Sequence, residues 1–248
     1  MADQGAGIDE VQIRVQLAAA FPLTVHEGWH ESVANHFSAA VSDDGRTFLM
    51  NPRWKHFGEI RASELLLLDA DDASVMDGPD APDPSAWAIH GQIHAATPRA
   101  RVLLHLHPPY ATAIASLADP TILPIDQNTA RFFGEVAYDL EFGGIADDTE
   151  EGRRLAGVLG DKSVLMMGNH GVTTVGRTVA EAFESMYYLE RACQNLVLAY
   201  STGQPLRVLD DELATKVATG WKRFSGLGDA HFAQRMAQLD RTEPDYRT

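Results

Sequence analysis

Six residues, Leu104-His105-Leu106-His107-Pro108-Pro109, limit what this chain folds into. The run 101–107 is short, apolar and rich in leucine, which reads as a strand. The two prolines that follow have no amide hydrogen to donate, so they end the ladder. Successive side chains of a strand alternate faces, so His105 and His107 project together, roughly 6–7 Å apart along the strand. The pair therefore stands at the end of a sheet, where a cleft can form, and two imidazoles at that spacing can grip one divalent cation. Two half-buried histidines on the polar face of an amphipathic strand are the other reading of the same pattern.

A second segment, Gly168-Asn169-His170-Gly171, lies between two short apolar runs, 163–167 and 171–175. Its flanking glycines let the backbone turn tightly and approach another chain segment, so His170 is expected on a turn between two strands. A turn histidine is placed to complete a three-nitrogen site. Zinc in catalytic sites commonly keeps three protein ligands and an open position, and imidazole also suits iron, cobalt and manganese.

The remaining pattern supplies the frame. Val11, Val15, Leu17 and Phe21 suggest an amphipathic helix over 8–21, and strands are expected at 37–41, 47–51 and 64–69. Six aspartates and three prolines between 69 and 84 keep that stretch out of regular structure, with a hairpin turn expected at Asp77-Gly78. Further helices are expected at 85–96, stopped by Pro98, at about 110–117, at 178–200 and at 211–224, and the charged last residues are expected to fray. Strands in hairpins flanked by helices point to an α/β layered architecture in one domain of 248 residues.

The chain carries 35 acidic against 20 basic side chains, a formal charge of −15. That balance disfavours a nucleic-acid partner, because such affinity comes largely from Lys and Arg displacing counterions. No apolar run approaches the roughly 20 residues needed to cross a bilayer. The opening Met-Ala-Asp-Gln has acid where a signal peptide needs base, and a single cysteine, Cys193, fits a reducing cytoplasm.

Taken together, Asn35-His36-Phe37-Ser38, Asn51-Pro52, Ile89-His90, Thr97-Pro98, the segment Val102 to His107 with Pro108-Pro109-Tyr110-Ala111-Thr112-Ala113, and Gly168-Asn169-His170-Gly171 running into Val179-Ala180-Glu181-Ala182-Phe183 resemble the class II aldolase and adducin family. The likeness covers about 8–200, with a C-terminal helical tail at about 205–240. It implies a single three-layer α/β/α domain around a mostly antiparallel sheet, assembled as a homotetramer with active sites at subunit interfaces. It also implies that His105, His107 and His170 bind the catalytic divalent metal, with zinc first and manganese, iron(II) or cobalt as alternatives.

The sequence departs from the family's aldolases in two places. Their acid–base glutamate, at the start of the helix before the His-x-His strand, falls on Ala86 here, and a methyl group carries no proton. His90 and His94 follow Ala86 at one-turn intervals along one helix face, so His90 is the candidate proton carrier or fourth ligand, a structural histidine being its alternative. The family's phosphate cradle is also altered. Asn51-Pro52-Arg53-Trp54 replaces a small Gly-containing turn, and Pro84-Ser85 replaces a Ser-Ser pair. Trp54 is expected to fill phosphate space, which points to a non-phosphorylated substrate. Arg53 is the candidate partner for a substrate carboxylate, with Asn35, Ser38 and Ser85 as further substrate contacts. Glu190-Arg191 is expected to be helix packing and a surface ion pair, Asp126-Gln127-Asn128 a loop, Tyr138 a half-buried strand aromatic and Cys193 a small core residue.

The expected function is a metal-dependent carbon–carbon lyase, of aldolase or decarboxylase type, acting on a small hydroxy- or oxo-acid through a metal-stabilised enolate. A non-haem iron oxygenase on the same scaffold, or a non-catalytic adducin-like interaction module, are the alternatives. Retention of all three histidines weighs against the last.

Overall fold

The fold comes from a computed structural model that describes residues 9–78, 81–141, 149–224 and 226–248. The N-terminal reading on residues 1–4, the start of the first helix at Ile8, and Pro79-Asp80 of the acidic stretch lie outside the described residues.

Helix α1, Glu10–Glu27, is capped by the Asp9 side chain, which accepts from the Gln12 amide. It runs beyond the expected end at 21 because Gly28, at φ 72°, closes it in the left-handed conformation and donates to the Thr24 and Val25 carbonyls. Three strands follow: β1 His36–Ala40, β2 Thr47–Met50 and β3 Leu66–Asp69. The acidic stretch contains a short 3-10 turn at Ala73–Asp77 and leads into helix α2, Pro84–Ala96. Asp77-Gly78 therefore joins a strand to a helix, and the expected hairpin turn there is corrected. Asp83 caps α2 by accepting from the amides of Ser85 and Ala86, with a proline in the first turn, where its missing donor is not needed.

Strand β4, Val102–Leu106, is followed by α3 Pro109–Ala115, the short α4 Gln127–Ala130, β5 Val136–Asp139, α5 Thr149–Leu159, β6 Val164–Met167, β7 Gly171–Gly176 and α6 Val179–Ser201. Helix α4 replaces the loop expected at 126–128, because Asp126 accepts from the amides of Asn128 and Thr129. Helix α5 was not foreseen. The chain ends with α7 Asp211–Arg223, α8 Leu227–Thr242 and a 3-10 turn at Pro244–Arg247. The C-terminus is tied down rather than frayed. The Ser63 amide donates to the Thr248 carbonyl at 2.9 Å, Tyr246 is buried, and its hydroxyl donates to Asp240.

The strands form one seven-stranded sheet in the order β3-β2-β1-β4-β7-β6-β5. Every pairing is antiparallel except β5 with β6. One face packs on α1, α3, α6 and α8 through Phe21, Phe37, Leu104, Phe183 and Leu196. The other packs on α2 and α5 through Ile93, Leu103, Leu155, Leu165 and their neighbours, and on α2 through Phe48, Met50 and Ala86. The result is the expected three-layer α/β/α domain around a mostly antiparallel sheet. Among the described residues no helix is long and apolar enough to cross a membrane.

Candidate metal centre

Strand β4 lies in the middle of the sheet, with β1 on one side and β7 on the other. The register places His36, His105 and Thr173 in one row across the three strands. A period of two then puts His36 and Ser38 on the sheet face that meets α2, together with His105. His107 follows directly after β4.

The turn between β6 and β7 brings His170 to the same end of the sheet. Asn169 takes φ 56°, a left-handed conformation that asparagine tolerates better than most residues. Gly171 is required by proximity: a Cβ there would lie 2.4 Å from His107 Cδ2 and 2.6 Å from the Leu106 carbonyl oxygen. The expected close approach of the turn glycine to another segment is thus an approach to the His-x-His strand itself.

One ligand nitrogen from each of His105, His107 and His170 falls within 4.8 Å of the others. The ring centroids stand 4.9–5.0 Å apart. His105 Nε2 and His107 Nε2 are separated by 3.1 Å, close to the roughly 3.3 Å edge of a tetrahedron whose ligand nitrogens lie 2.0–2.1 Å from a central zinc. Each strand histidine has its other nitrogen engaged. His107 Nδ1 donates to the Glu31 carboxylate, and His105 Nδ1 is 3.1 Å from Thr173 Oγ1. Outer contacts of this kind orient imidazoles and fix which nitrogen faces a metal. Burial holds His105 well below its usual pKa, helped by the neighbouring histidines His36, His170 and His107. His170 is lowered to about 4, mainly by burial. Neutral imidazoles are the ligating form, so the donor set fits a divalent ion.

His90 stands behind the triad. It is fully buried in α2, its Nε2 is 2.8 Å from His36 Nδ1, and its Nδ1 is 2.5 Å from Ser38 Oγ. With both nitrogens engaged it is not a fourth ligand here, and it reaches the centre only through His36. Ser38 is likewise corrected as a substrate contact, because it is fully buried and its hydroxyl bridges His90 and His94. The Ser85 hydroxyl is committed to Asp83 at 2.6 Å and belongs to the helix cap. Asn35 sits at φ 72°; its Oδ1 accepts from the Glu31 amide, while its buried Nδ2 has no partner among the described residues. Arg53 follows β2 at the same sheet end as the triad. Trp54 is 69% exposed, so its bulk faces solvent instead of filling the phosphate space expected of it.

Ala86 is buried among Ala40, Phe48, Met50 and Leu68, so apolar packing surrounds the place of the family glutamate. Two acids that act on the histidine cluster carry no signal in the sequence. Glu31 is 76 positions from His107 in the chain. Asp83 is kept below the usual carboxylate range although its burial opposes this, because the Ser85 hydroxyl, the two cap amides and His36 favour its charged form. His36, within the Asn35-His36-Phe37-Ser38 motif, also belongs to the site: its ring stacks on that of His105 with centroids 4.6 Å apart. Glu190 is a buried cap rather than a surface ion pair, its carboxylate accepting from the amides of Tyr110 and Ala111 at the start of α3. Tyr138 and Cys193 are the half-buried strand aromatic and the core thiol expected of them.

Residues 15–197 match the model of the class II aldolase and adducin N-terminal domain. A protein of Caulobacter vibrioides, whose name places it with the class 2 aldolases, is 34% identical over 96% of this chain and 92% of its own length. The crystal structure of an aldolase II superfamily protein from Pseudomonas syringae superposes with a TM-score of 0.86 at 34% identity, covering 96% of each chain. The decarboxylase NovR of Streptomyces niveus is 27% identical over 82% of this chain and 77% of its own.

Proposed function

The chain belongs to the class II aldolase and adducin N-terminal domain family, and on that premise we propose that it is a divalent-metal-dependent lyase that breaks a carbon–carbon bond in a small hydroxy- or oxo-acid. The observation that carries this reading is the convergence of His105, His107 and His170 within 4.8 Å, with Nδ1 of His107 held by Glu31 so that its Nε2 is the ligating lone pair. When bound, the ion, zinc by preference, supplies Lewis-acid stabilisation of the negative charge that develops as the bond breaks.

The chain's own residues bind and orient the substrate. Asn35 Nδ2 is a buried donor without a partner among the described residues, which a substrate oxygen would satisfy. Arg53 is free of hydrogen bonds and ion pairs among the described residues and offers a guanidinium fork for a carboxylate. His36 and the Glu31 carboxylate are the polar groups beside the triad, and neither stands in the place of the absent glutamate. With no carboxylate at position 86, decarboxylation, which removes no hydroxyl proton, is favoured over aldol cleavage. Exposed apolar side chains, among them Trp54, Leu198 and Phe224, leave area for the proposed homotetramer with sites at its interfaces, and the lone buried cysteine fits the proposed cytoplasmic location.

The test is to incubate zinc-loaded and chelator-stripped protein with a panel of 4-hydroxy-2-oxo-acids and 3-oxo-acids while following aldehyde and carbon dioxide release. Metal-dependent release from one class of acid is the expected outcome. Release of neither product from any acid would remove the lyase reading.

A further inference from the structure

Four side chains between α2 and the sheet form a continuous hydrogen-bonded row whose direction is set at one end. His94 Nδ1 lies 2.6 Å from the Ala100 carbonyl oxygen, and a carbonyl only accepts, so this nitrogen carries the hydrogen. His94 is buried and uncharged near neutral pH, its pKa lowered to about 4 by burial, which leaves its Nε2 as a lone pair. That lone pair is 2.7 Å from Ser38 Oγ and therefore accepts the one hydroxyl hydrogen Ser38 has. With that hydrogen spent, Ser38 Oγ accepts from His90 Nδ1 at 2.5 Å. His90, also uncharged through burial, then presents a lone pair at Nε2, which accepts from His36 Nδ1 at 2.8 Å. Reversing any one bond would set two hydrogens or two lone pairs face to face in a buried site.

We propose that His94, Ser38 and His90 are positioning residues that relay the polarity of the Ala100 carbonyl to His36, fixing it as an imidazole with its hydrogen on Nδ1 and an acceptor at Nε2 beside the histidine triad. His36 Nε2 has no hydrogen-bond partner among the described residues, and the ring is stacked against His105. A fixed acceptor at that place favours a substrate that carries a hydroxyl group as well as the carbonyl an enolate needs, over one that carries the carbonyl alone. This use of the acceptor rests on the metal-centred reading above; the hydrogen positions themselves do not.

Neutron diffraction from deuterium-exchanged crystals of the full chain at neutral pD tests the relay directly. The expected maps carry deuterium on Nδ1 and none on Nε2 in His94, His90 and His36, with the Ser38 deuteron pointing at His94. Deuterium on His36 Nε2 in the unaltered protein would overturn the proposal, whatever the crystals show about metal. A second measurement compares Ser38→Ala with Ser38→Thr. Loss of the single Nδ1 form at His36 in Ser38→Ala and its recovery in Ser38→Thr, which keeps the hydroxyl, is expected. An unchanged His36 in Ser38→Ala would show that the relay does not set its tautomer. Zinc content of the same samples, measured separately, reports on the lyase reading alone.

Discussion

His36 and His105 are partners in the β1–β4 ladder, and their rings stack with planes 22° apart. His36 also lies 2.8 Å from His90 Nε2 on α2, and so joins two groups of histidines that arise from different periodicities. His36 and His105 share a sheet face through the period of two along each strand, while His90 and His94 share a helix face through their i, i+4 spacing. Where sheet and helix meet, the candidate metal centre is backed by a fully buried polar layer, and the geometry of that layer bears on the site in front of it.

Glu31 is the part of the centre that can be altered with least effect on the fold, since its side chain is 58% exposed. Glu31→Gln keeps the shape but removes the anion that receives His107 Nδ1. The expected result is zinc affinity weakened about 10- to 100-fold, the usual effect of losing such an outer partner, with the unfolding midpoint nearly unchanged. Competition against a chromophoric chelator measures it, and equal affinity in the two proteins would remove Glu31 from the site.

Gly171 tests the packing of the turn against the strand. In Gly171→Ala the new Cβ would overlap the His107 ring and the Leu106 carbonyl. The ring can move more readily than the backbone, so zinc affinity is expected to fall by about tenfold or more, alongside about 1–3 kcal/mol of destabilisation from overpacking. Unaltered metal binding would mean that the turn relaxes without disturbing His107.

The buried histidines of α2 make stability depend on pH. His94 has a folded-state pKa near 4 against 6.5 for the free side chain, and His90 is shifted the same way. Below pH 6.5 the unfolded chain takes up protons that the folded chain refuses. Stability is therefore fully present above pH 6.5 and is lost as pH falls toward 4, with His94 contributing about 3 kcal/mol over that window. Urea unfolding at about pH 7.5 and about pH 5 should show a clear fall in midpoint; equal midpoints would contradict the burial of uncharged imidazoles.

The sequence carried the elements whose signals are local. The strand ended by Pro108-Pro109, the Asn-His-Gly turn and the one-turn spacing of His90 and His94 were all legible, because each depends on a few adjacent residues. Helix α5 was missed: its buried face is short, Leu155, Ala156 and Leu159, and its packing uses Gly152 against the Ala88 backbone, which no periodicity reports. Glu31 and Asp83 carry no local signal as parts of the site, because the Glu31–His107 bond and the electrostatic effect of Asp83 on His36 join distant segments. Ser38 belongs to the buried layer and not to the substrate side, because a motif shows that a hydroxyl is present but not which layer it faces. The fraying expected of the charged tail did not occur, since Tyr246 and the terminal carbonyl find partners elsewhere in the fold.

The most direct measurement of the central claim is the metal content of purified protein after zinc loading and gel filtration, compared with that of His170→Ala by elemental analysis. His170 lies in a half-exposed turn between strands, so the variant is expected to keep the fold while losing one of three ligands. The expected result is one zinc per chain in the unaltered protein and little or none in His170→Ala, both showing the same far-ultraviolet circular dichroism. Little or no zinc in the unaltered protein, or the same zinc content in both, would contradict a metal centre at His105, His107 and His170.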